Sequence, residues 1–470
     1  MRLPYGIRVA MMIVFAMGVY ENAFPAGAEK QATVSIDEAV RIALSKNQDY
    51  AIAKLKRAEA KEKVRGAWGQ LMPALESEAS AARQYAENGF LSLSDGQYDI
   101  KFVQLRFGIN PGVFYNTLES SRRAYTVAEE DQRRVKAEVE FTVIQGYFSV
   151  LLAGEMAALR RESLELLKSN LRDVENLYRT GSVPKFELLQ AQVQYKSQEP
   201  LVLEAESNYR IALDTFNFTL GVDTVSYIPD TAVLDTAAFD APGGDMQANA
   251  ERIAMIALKN RPEILQLERK REMLENSKHA NSAYYIWPTF SIGGYYGMTK
   301  YMPNQIDVGL PAGPMTPDFS QISGNDSWQT TWQVRVAATY RWGSLIPADP
   351  VRAAERADEQ RIRGAAEELS KLRRLVAISI RADYSRFVTA ALTIKSRREN
   401  VATAEEGLRI ARESYRAGVI KNSELLSAEV ALTNSRTAYI NAIHSYYVSR
   451  AGLKKDAGVD DIRSIMEDGK

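Results

Sequence analysis

The sequence predicts a mainly α-helical chain that also contributes β-strands to a membrane barrel. Three observations indicate this fold class. Residues 328–342 alternate apolar and polar side chains, as one unusually long strand does. Residues 117–179 and 351–417 contain no proline and are long enough to form helices of about 95–100 Å. The second half of the chain also repeats the order of elements in the first half.

The composition excludes several functional classes. The 470 residues are 46% hydrophobic, which is too few for a bundle of membrane-spanning helices and too many for a disordered chain. The 59 basic and 59 acidic residues balance, so the net charge gives no reason to expect a nucleic-acid partner. The chain has no cysteine, which excludes disulfides, cysteine metal ligands, thiol catalysis and an acylated amino-terminal cysteine.

The amino terminus predicts export from the cytoplasm. Arg2 and Arg8 precede the apolar stretch 9–20, and Ala26 and Ala28 provide a small-residue cleavage site. This pattern is typical of a signal peptide, which we place at 1–28. A retained membrane anchor is the weaker interpretation, because twelve residues rise only about 18 Å against a hydrocarbon core of about 30 Å.

An internal repeat organises the rest of the chain. The stretch LYRTGSVPKFELL at 177–189 returns as SYRAGVIKNSELL at 414–426, and the register extends in both directions. The matching apolar positions are three and four residues apart, which is the spacing of a coiled-coil seam, although one ordinary helical core stripe is an alternative. The chain is therefore divided into repeat 1 at 29–220, a linker at 221–248, repeat 2 at 249–460 and a tail at 461–470.

Each repeat predicts a helix, two strands, a long helix, a short tip and a return helix. The strands are expected at 74–86 and 97–109, and at 288–301 and 327–343. The long helices are expected at 117–179 and 351–417, with tips at 180–184 and 418–422. The apolar face changes phase at Phe102–Val103, which predicts a β-bulge there. Pro200 predicts a kink or break in the first return helix.

The strands have the chemistry of an outer-membrane barrel. Aromatic residues sit along the apolar face of the last strand, and we expect an aromatic girdle of Trp328, Trp332, Tyr340 and Trp342. Four strands cannot close a barrel, which needs about eight, but three chains supply twelve. The sequence therefore predicts a homotrimer in contact with outer-membrane lipid. A strand of a soluble sandwich is the alternative, and it leaves the terminal tryptophans unexplained.

Several motifs resemble those of the outer-membrane efflux protein (TolC-like) family. They are the stretch ALKNRPEI at 257–264, the strand-opening Pro73 and Pro288, and a tip motif of Tyr-x-x-Gly followed by Glu-Leu-Leu in both halves. The resemblance covers about residues 35–460. It implies a twelve-stranded barrel in the outer membrane of a Gram-negative bacterium, continued by a periplasmic α-barrel. The implied function is a passive exit duct of a tripartite efflux or type I secretion system, with a periplasmic adaptor (membrane fusion) protein and an inner-membrane pump as partners.

The same resemblance implies roles for the tips. The adaptor-contacting residues would be Gly181, Ser182, Val183, Gly418, Val419 and Ile420. Glu187 and Glu424, six residues after each glycine, would form a cation-favouring ring at the aperture, near Tyr415 and Lys421. Each glutamate is also placed as an ordinary helix-capping residue, which is the alternative. Some relatives carry a basic residue at the position of Ile420. In this chain the basic residue Lys421 is adjacent to that position instead.

No catalytic or cofactor site is expected. His279 and His444 are far apart and lack partners with metal-ligand spacing, so neither a metal site nor any other cofactor is predicted. The basic stretches 371–374 and 395–400 lie on helices rich in glutamate and indicate solvated faces rather than a nucleic-acid site. We therefore expect a non-enzymatic protein. The main alternative to the duct is a periplasmic coiled-coil adaptor or scaffold without a membrane barrel.

Overall fold

The structure is a computed structural model that describes residues 30–88, 91–222, 225–231, 245–301, 305–308, 327–342 and 349–459. The expected signal peptide at 1–28 and tail at 461–470 lie outside the described residues. The helices of the described part are α1 (Ile36–Lys46), α2 (Gln48–Gly69), α3 (Pro111–Arg179), α4 (Lys185–Leu220), α5 (Met246–Asn260), α6 (Pro262–Ile286), α7 (Pro350–Arg416) and α8 (Asn422–Ala457). Its strands are β1 (Lys30–Val34), β2 (Ala74–Asn88), β3 (Leu91–Ile109), β4 (Val225–Pro229), β5 (Thr289–Tyr301), β6 (Gln305–Val308) and β7 (Gln329–Thr339).

Two helical hairpins make up most of the molecule. α3 has 69 residues and α7 has 67, so each is about 100 Å long, and each packs along its return helix, α4 or α8. α3 begins six residues before the expected start at 117. The side chain of Asn110 accepts a hydrogen bond from the N–H of Val113, and Pro111 occupies the first helical position. Both residues favour a helix start at this point.

Of the expected kink or break at Pro200, the break is wrong. α4 runs from Lys185 to Leu220 with Pro200 inside it. Proline lacks an N–H, so it leaves the carbonyl of Lys196 without its usual helical donor. Both Lys196 and Pro200 are exposed, so solvent can satisfy that carbonyl, and the packing of α4 along α3 keeps the helix continuous.

Each repeat has its own apolar core around its first helix. The core of repeat 1 packs α1 against α3 and α4, with Tyr147, Phe148 and Phe216 almost fully buried. The core of repeat 2 packs α5 against α7 and α8. The helix faces that enter these cores are rich in alanine, including Ala43 and Ala257, and such small side chains let helices approach closely. By length and composition, α3 contains a stretch that is able to cross a membrane. The apolar residues of α3, however, contribute to the core of repeat 1.

The return helices of the two repeats end at equivalent glycines. Gly221 ends α4 with a φ of +71°, and Gly458 ends α8 with a φ of +66°. A Cβ at Gly221 would lie 2.6 Å from the carbonyl oxygen of Lys46, and one at Gly458 would lie 3.2 Å from that of Asn260. Lys46 and Asn260 are the last residues of α1 and α5, so the repeat is preserved down to backbone contacts.

The segment 221–248 is more than a linker. It contains β4, which pairs in parallel with β1. The side chain of Tyr147 connects this strand pair to α3 by hydrogen bonds. The hydroxyl of Tyr147 donates within 3.0 Å of the carbonyl of Asp230 and 3.3 Å of that of Val34. Sequence analysis missed both strands because each has only five residues and its partner lies far away along the chain.

The remaining strands form one sheet with the order β2-β3-β5-β7, and neighbouring strands are antiparallel. The expected β-bulge is confirmed, because Lys101 opposes Gly297 while Val103 opposes Tyr296, leaving Phe102 as the extra residue. β3 begins at Leu91, earlier than expected, and the unexpected strand β6 pairs with this first part. β7 covers only part of the expected 327–343, of which residue 343 lies outside the described residues, and its last residue, Thr339, pairs with the first residue of β5, Thr289.

The two faces of this sheet differ in chemistry. One face is apolar and exposed, and the register places these residues side by side on it: Val103, Leu105, Phe107, Ile292, Tyr296, Trp332, Val334 and Val336. The other face is polar. There Lys101 pairs with Glu78 at 3.0 Å, Arg106 pairs with Glu76, and Thr299 donates to Asp99 at 2.6 Å.

Candidate functional site at the hairpin tips

Both hairpins end in the same backbone turn. Gly181 has a φ of +77° and Gly418 a φ of +72°, a region that favours glycine. The N–H of Gly181 donates to the carbonyl of Tyr178 at 2.9 Å, and that of Ser182 to the carbonyl of Leu177 at 2.8 Å. Equivalent bonds run from Gly418 to Tyr415 at 3.0 Å and from Val419 to Ser414 at 2.9 Å. This double closure is a Schellman motif, which ends a helix and reverses the chain.

The two glutamates lie in the first turn of the return helices. α4 begins at Lys185, and the N–H of Glu187 donates to the carbonyl of Pro184 at 3.1 Å. α8 begins at Asn422, one residue inside the expected tip, and the N–H of Glu424 donates to the carbonyl of Lys421 at 3.0 Å. A carboxylate in this position is stabilised by the positive end of the helix dipole.

The tips present their expected contact residues to solvent. Gly181, Ser182, Gly418 and Val419 are exposed. Val183 and Ile420 are half-buried. Because α3 starts beside the sheet, the first tip lies about 100 Å along the helix from the strands. The six residues that the resemblance assigned to adaptor contact are therefore grouped at the ends of the hairpins, away from the sheet.

Tyr415 lies near the end of α7, and its hydroxyl oxygen is buried without a hydrogen-bond partner among the described residues. Burial raises the pKa of Tyr415, and the negative charges of Glu187 and Asp173 raise it further. A carboxylate of the first hairpin therefore acts electrostatically on this hydroxyl of the second.

Glu424 and Lys421 occupy a different environment. Both side chains are exposed, and neither forms an ion pair within the described part of the chain. Lys421 is the residue before the first turn of α8, and no side-chain hydrogen bond caps that helix. Of the four expected aperture residues, Tyr415 and Glu187 are thus half-buried, whereas Glu424 and Lys421 face solvent.

Sequence reasoning missed a buried amide pair between the hairpins. The side-chain N–H of Asn170 in α3 donates to the side-chain oxygen of Asn422 in α8 at 2.6 Å. The two residues are only 6% and 2% exposed. A buried polar pair inside an apolar seam fixes which residues face each other. The signal in the sequence was a break in the repeat, since Lys185 stands where the second half has Asn422.

Ion pairs of Arg436 also connect the same two hairpins, farther from the tips. One guanidinium nitrogen of Arg436 in α8 lies 3.0 Å from a carboxylate oxygen of Glu162 in α3. The other lies 2.9 Å from a carboxylate oxygen of Glu405 in α7. These partly exposed pairs add little stability individually, but together they hold three helices side by side.

The aromatic residues expected to form a girdle are all exposed. Trp332 lies within β7, opposite Tyr296, whereas Trp328, Tyr340 and Trp342 flank the strand. The rings of Tyr340 and Trp342 are 5.0 Å apart, and the hydroxyl of Tyr340 donates to the carbonyl of Tyr285 at 2.6 Å. The aromatic groups therefore mark both ends of the apolar face, with one tryptophan in between.

The histidines have separate surroundings. His444 is half-buried and lies 3.2 Å from the hydroxyl of Ser149, and burial lowers the pKa of its ring. His279 is exposed on α6. Within the described ranges, no group of three or more histidine, aspartate or glutamate side chains could hold a metal ion.

Comparison with known proteins agrees with this architecture. A sequence model of the outer membrane efflux protein family matches residues 39–222 and 256–459. The probable outer membrane lipoprotein SilC of Salmonella typhimurium is 27% identical over 180 residues, which span 38% of this chain and 39% of SilC. Since the chain has no cysteine, it cannot carry a lipid on a cysteine side chain.

Solved structures share the fold. A structure of CusC has a TM-score of 0.69 and 20% identity, and the match covers 90% of this chain and 92% of CusC. The CmeC outer membrane channel of Campylobacter jejuni has a TM-score of 0.71 and 18% identity, covering 93% of this chain and 90% of CmeC. These matches confirm the mainly helical, TolC-like fold expected from the sequence. The family model confirms the expected outer-membrane location. Because the family model covers most of both repeats, the chain belongs to the outer membrane efflux protein family.

Proposed function

We propose that three copies of this chain form a passive exit duct of a tripartite efflux system, spanning the outer membrane and the periplasm. One observation carries the proposal: a sheet built on four long strands, with an exposed apolar face and a polar opposite face, continues into two hairpins about 100 Å long. A bilayer accepts the apolar face, and a water-filled lumen accepts the polar one.

The edges of the sheet support a trimer. In the described part of the chain, β2 pairs only with β3, and β7 pairs only with β5. Unpaired strand edges are costly in lipid, because no water satisfies their N–H and C=O groups. Pairing of β2 with β7 of the next chain removes the edges, and three chains then give a closed barrel of twelve strands. A periplasmic adaptor or scaffold without a membrane barrel would not require this sheet.

The tips support docking to other proteins of the system. Val419 and Phe186 are exposed apolar residues at the ends of the hairpins, 76% and 73% exposed. In this proposal an adaptor contacts Gly181, Ser182 and Val183 in one hairpin and Gly418, Val419 and Ile420 in the other. The inner-membrane pump supplies the free energy, and the duct itself performs no chemistry.

The glutamates near the tips set the selectivity of the aperture in this proposal. Glu187 and Glu424 each start a return helix, so three chains bring six carboxylates to the end of the duct. Carboxylates held near one another attract cations and exclude anions. Tyr415 and Lys421 flank these carboxylates and complete the group.

Bilayer conductance of the purified protein tests the proposal. We expect a trimer by native mass in mild detergent and cation-selective channels in a planar bilayer. The double variant Glu187→Gln with Glu424→Gln should keep the trimer but lose most of the cation selectivity and the block by multivalent cations. Glu367→Gln, which removes an exposed carboxylate near the start of α7, serves as the matched control. A folded monomer without conductance would contradict the duct, and unchanged selectivity would leave both glutamates as helix caps.

A further inference from the structure

The outermost helices of the two hairpins carry exposed apolar side chains. In the described part of the chain, the contacts place the hairpin helices in the order α4, α3, α8 and α7, so α4 and α7 lie at the two ends of the row. Phe218 on α4 is 78% exposed, and Leu375 and Ile378 on α7 are 52% and 61% exposed. Large apolar side chains grouped on the surface of a folded protein indicate a contact with another protein.

The internal repeat relates these residues to a contact within the chain. Buried residues of α3 and α7 fall at matching positions of the repeat: Val139 with Val376, Val143 with Ile380, and Tyr147 with Tyr384. The glycines that end α4 and α8 match as well. This register makes Phe218 the equivalent of Lys455, and it makes Leu375 and Ile378 the equivalents of Glu138 and Phe141.

Lys455 shows what this position contacts within one chain. Its Nζ lies 3.1 Å from a carboxylate oxygen of Glu138 and 4.4 Å from the centre of the Phe141 ring. The contact joins α8 of the second hairpin to α3 of the first. α4 and α7 hold the equivalent places with the hairpins exchanged, but they lie at opposite ends of the row, so the equivalent contact requires a second copy of the chain.

From this exchange we infer that Phe218 of one chain packs against Leu375 and Ile378 of the next chain, as an apolar anchor of the seam between α4 and α7. The inference rests on the trimer of the proposed duct. Three chains in a ring place six hairpins side by side. Seams of α3 with α8 within the chains then alternate with seams of α7 with α4 between the chains.

Leu203 and Leu392 continue the same seam towards the tips. Leu203 on α4 is 68% exposed, and Leu392 on α7 is 62% exposed. Their equivalents, Ile440 and Glu155, line one cavity between α8 and α3. The step from Phe218 to Leu203 and the step from Ile378 to Leu392 both lead towards the tips by nearly the same number of residues. The two apolar contacts therefore fit one antiparallel register.

Opposite charges lie between these two apolar contacts. Asp214 on α4 and Arg381 on α7 are exposed, and their equivalents, Ala451 and Ile144, line another cavity between α8 and α3. Within its own chain Arg381 comes only within 4.0 Å of Glu251, so its guanidinium is available to Asp214 of the next chain. Complementary charge beside complementary apolar surface selects a second copy of this chain as the partner and sets its register.

The apolar anchor is important because an ion pair is missing from this seam. Within the chain, Arg436 pairs with Glu162 at 3.0 Å. The equivalent positions between chains are Glu199 and Glu399, and two carboxylates do not attract each other. Burial of Phe218 therefore contributes to this seam what the ion pair contributes to the seam within the chain.

Thiol cross-linking tests the inference, since the natural chain contains no cysteine to interfere. The double variant Phe218→Cys with Leu375→Cys is treated in mild detergent with a short bismaleimide, which reacts with one thiol at each end. We expect covalent dimers and trimers on a denaturing gel. Phe218→Cys with Leu392→Cys tests the register and should stay monomeric, because Leu392 lies about 25 Å beyond Leu375 along α7.

The matched control is Lys455→Cys with Glu138→Cys, the equivalent pair within one chain. The reagent should link these thiols internally and yield monomers, with the linked peptides identified by mass spectrometry. Each single-cysteine variant should also remain monomeric on the gel. A native trimer that gives no ladder with the 218/375 variant, while the control links internally, overturns the inference. Absence of a native trimer of the natural protein instead overturns the proposed duct.

A second measurement keeps an aromatic ring at position 218 and does not need the cysteine variant to assemble. Phe218 is replaced by p-benzoylphenylalanine, which reacts with nearby C–H bonds on illumination. We expect covalent dimers whose linked peptides contain Leu375 and Ile378. Adducts found only within the same chain would contradict the contact.

Discussion

The side-chain amide of Asn110 joins the sheet to the helices by donating to the carbonyl of Trp287 at 2.8 Å. Its oxygen accepts from the N–H of Val113 at 3.1 Å and thereby starts α3. Gly112 allows the close approach, because a Cβ there would lie 2.6 Å from the ring of Trp287. One residue therefore ties the end of β3, the start of α3 and the end of α6 into a single junction.

Replacing Asn110 with alanine should lower the thermal stability of the protein. The variant loses a helix cap and leaves the carbonyl of Trp287 without this donor, which together cost about 1–3 kcal/mol. Tryptophan fluorescence during heating in detergent measures the change. Asn208→Ala, at an exposed position of α4, should have little effect. Equal losses in the two variants would argue against a special role for the junction.

Three glycine-to-alanine variants should rank by their local geometry. Gly221→Ala should destabilise most, because its positive φ costs about 1–2 kcal/mol and its Cβ would meet the carbonyl of Lys46 at 2.6 Å. Gly458→Ala should destabilise less, since its closest contact is 3.2 Å. Gly407 lies inside α7 with no atom within 4 Å of the place of a Cβ, so Gly407→Ala should stabilise by about 0.5–1 kcal/mol. Denaturant titration of the three variants gives the order, and a reversed order would contradict this account.

Arginine on the two faces of β7 should have opposite consequences. Val334 is 68% exposed on the apolar face, and Val334→Arg should cost about 2–4 kcal/mol near the bilayer centre. Gln333 is its neighbour on the polar face, and Gln333→Arg should be tolerated at nearly the same depth. The yield of folded trimer in outer-membrane fractions compares them. Similar losses for both variants would mean that the faces are assigned incorrectly.

Asp383 should make stability depend on pH. Burial raises the pKa of Asp383 to about 6, and the hydrogen bond to Asp456 contributes, while Arg386 and Arg261 oppose the shift. Because the folded pKa is above the unfolded value, the stabilising contribution is present in acid and is lost as the pH rises through 6. Asp383→Asn cannot ionise, so it should be more stable than the natural protein at pH 7, by the order of 1–2 kcal/mol.

Melting temperatures between pH 4 and 8 test this prediction. The curves of Asp383→Asn and the natural protein should nearly coincide near pH 4, separate between pH 4 and 6, and keep a constant separation at higher pH. Asp456→Asn is the informative comparison, because it removes the carboxylate that lies 3.2 Å from Arg261. It should lose stability at pH 7. Parallel curves at all pH values would show that Asp383 does not titrate in this range.

Periodic features of the fold were predictable from the sequence. The alternation in 328–342 indicates a strand with an apolar face, and the phase change at Phe102 locates the bulge that the pairing confirms. The tip glycines follow from the repeated motif, and their positive φ values agree with a reversal of the chain. These features are encoded by neighbouring residues, so a local pattern is sufficient to find them.

Features that depend on distant contacts were not predictable. β1 and β4 are too short to show a period, and their pairing joins the start of repeat 1 to the segment that follows it. The contact of Asn170 with Asn422 joins residues that are 252 apart, and neither belongs to a recognisable motif. The break allowed for at Pro200 does not occur, because a local rule ignores the packing that supports α4. In each case the deciding interaction is tertiary.

The unpaired edges of the sheet have a consequence for biogenesis. In a single chain the apolar face of the sheet is unfavourable in water, and the unpaired backbone groups at the sheet edges are unfavourable in lipid. A single chain is therefore unstable in either environment. In the proposed trimer, membrane insertion and assembly would therefore form one concerted event, whose rate would rise steeply with the local concentration of chains. Chains that had not met two others would stay exposed to proteases, so we expect the abundance of the proposed channel to respond nonlinearly to the rate of synthesis.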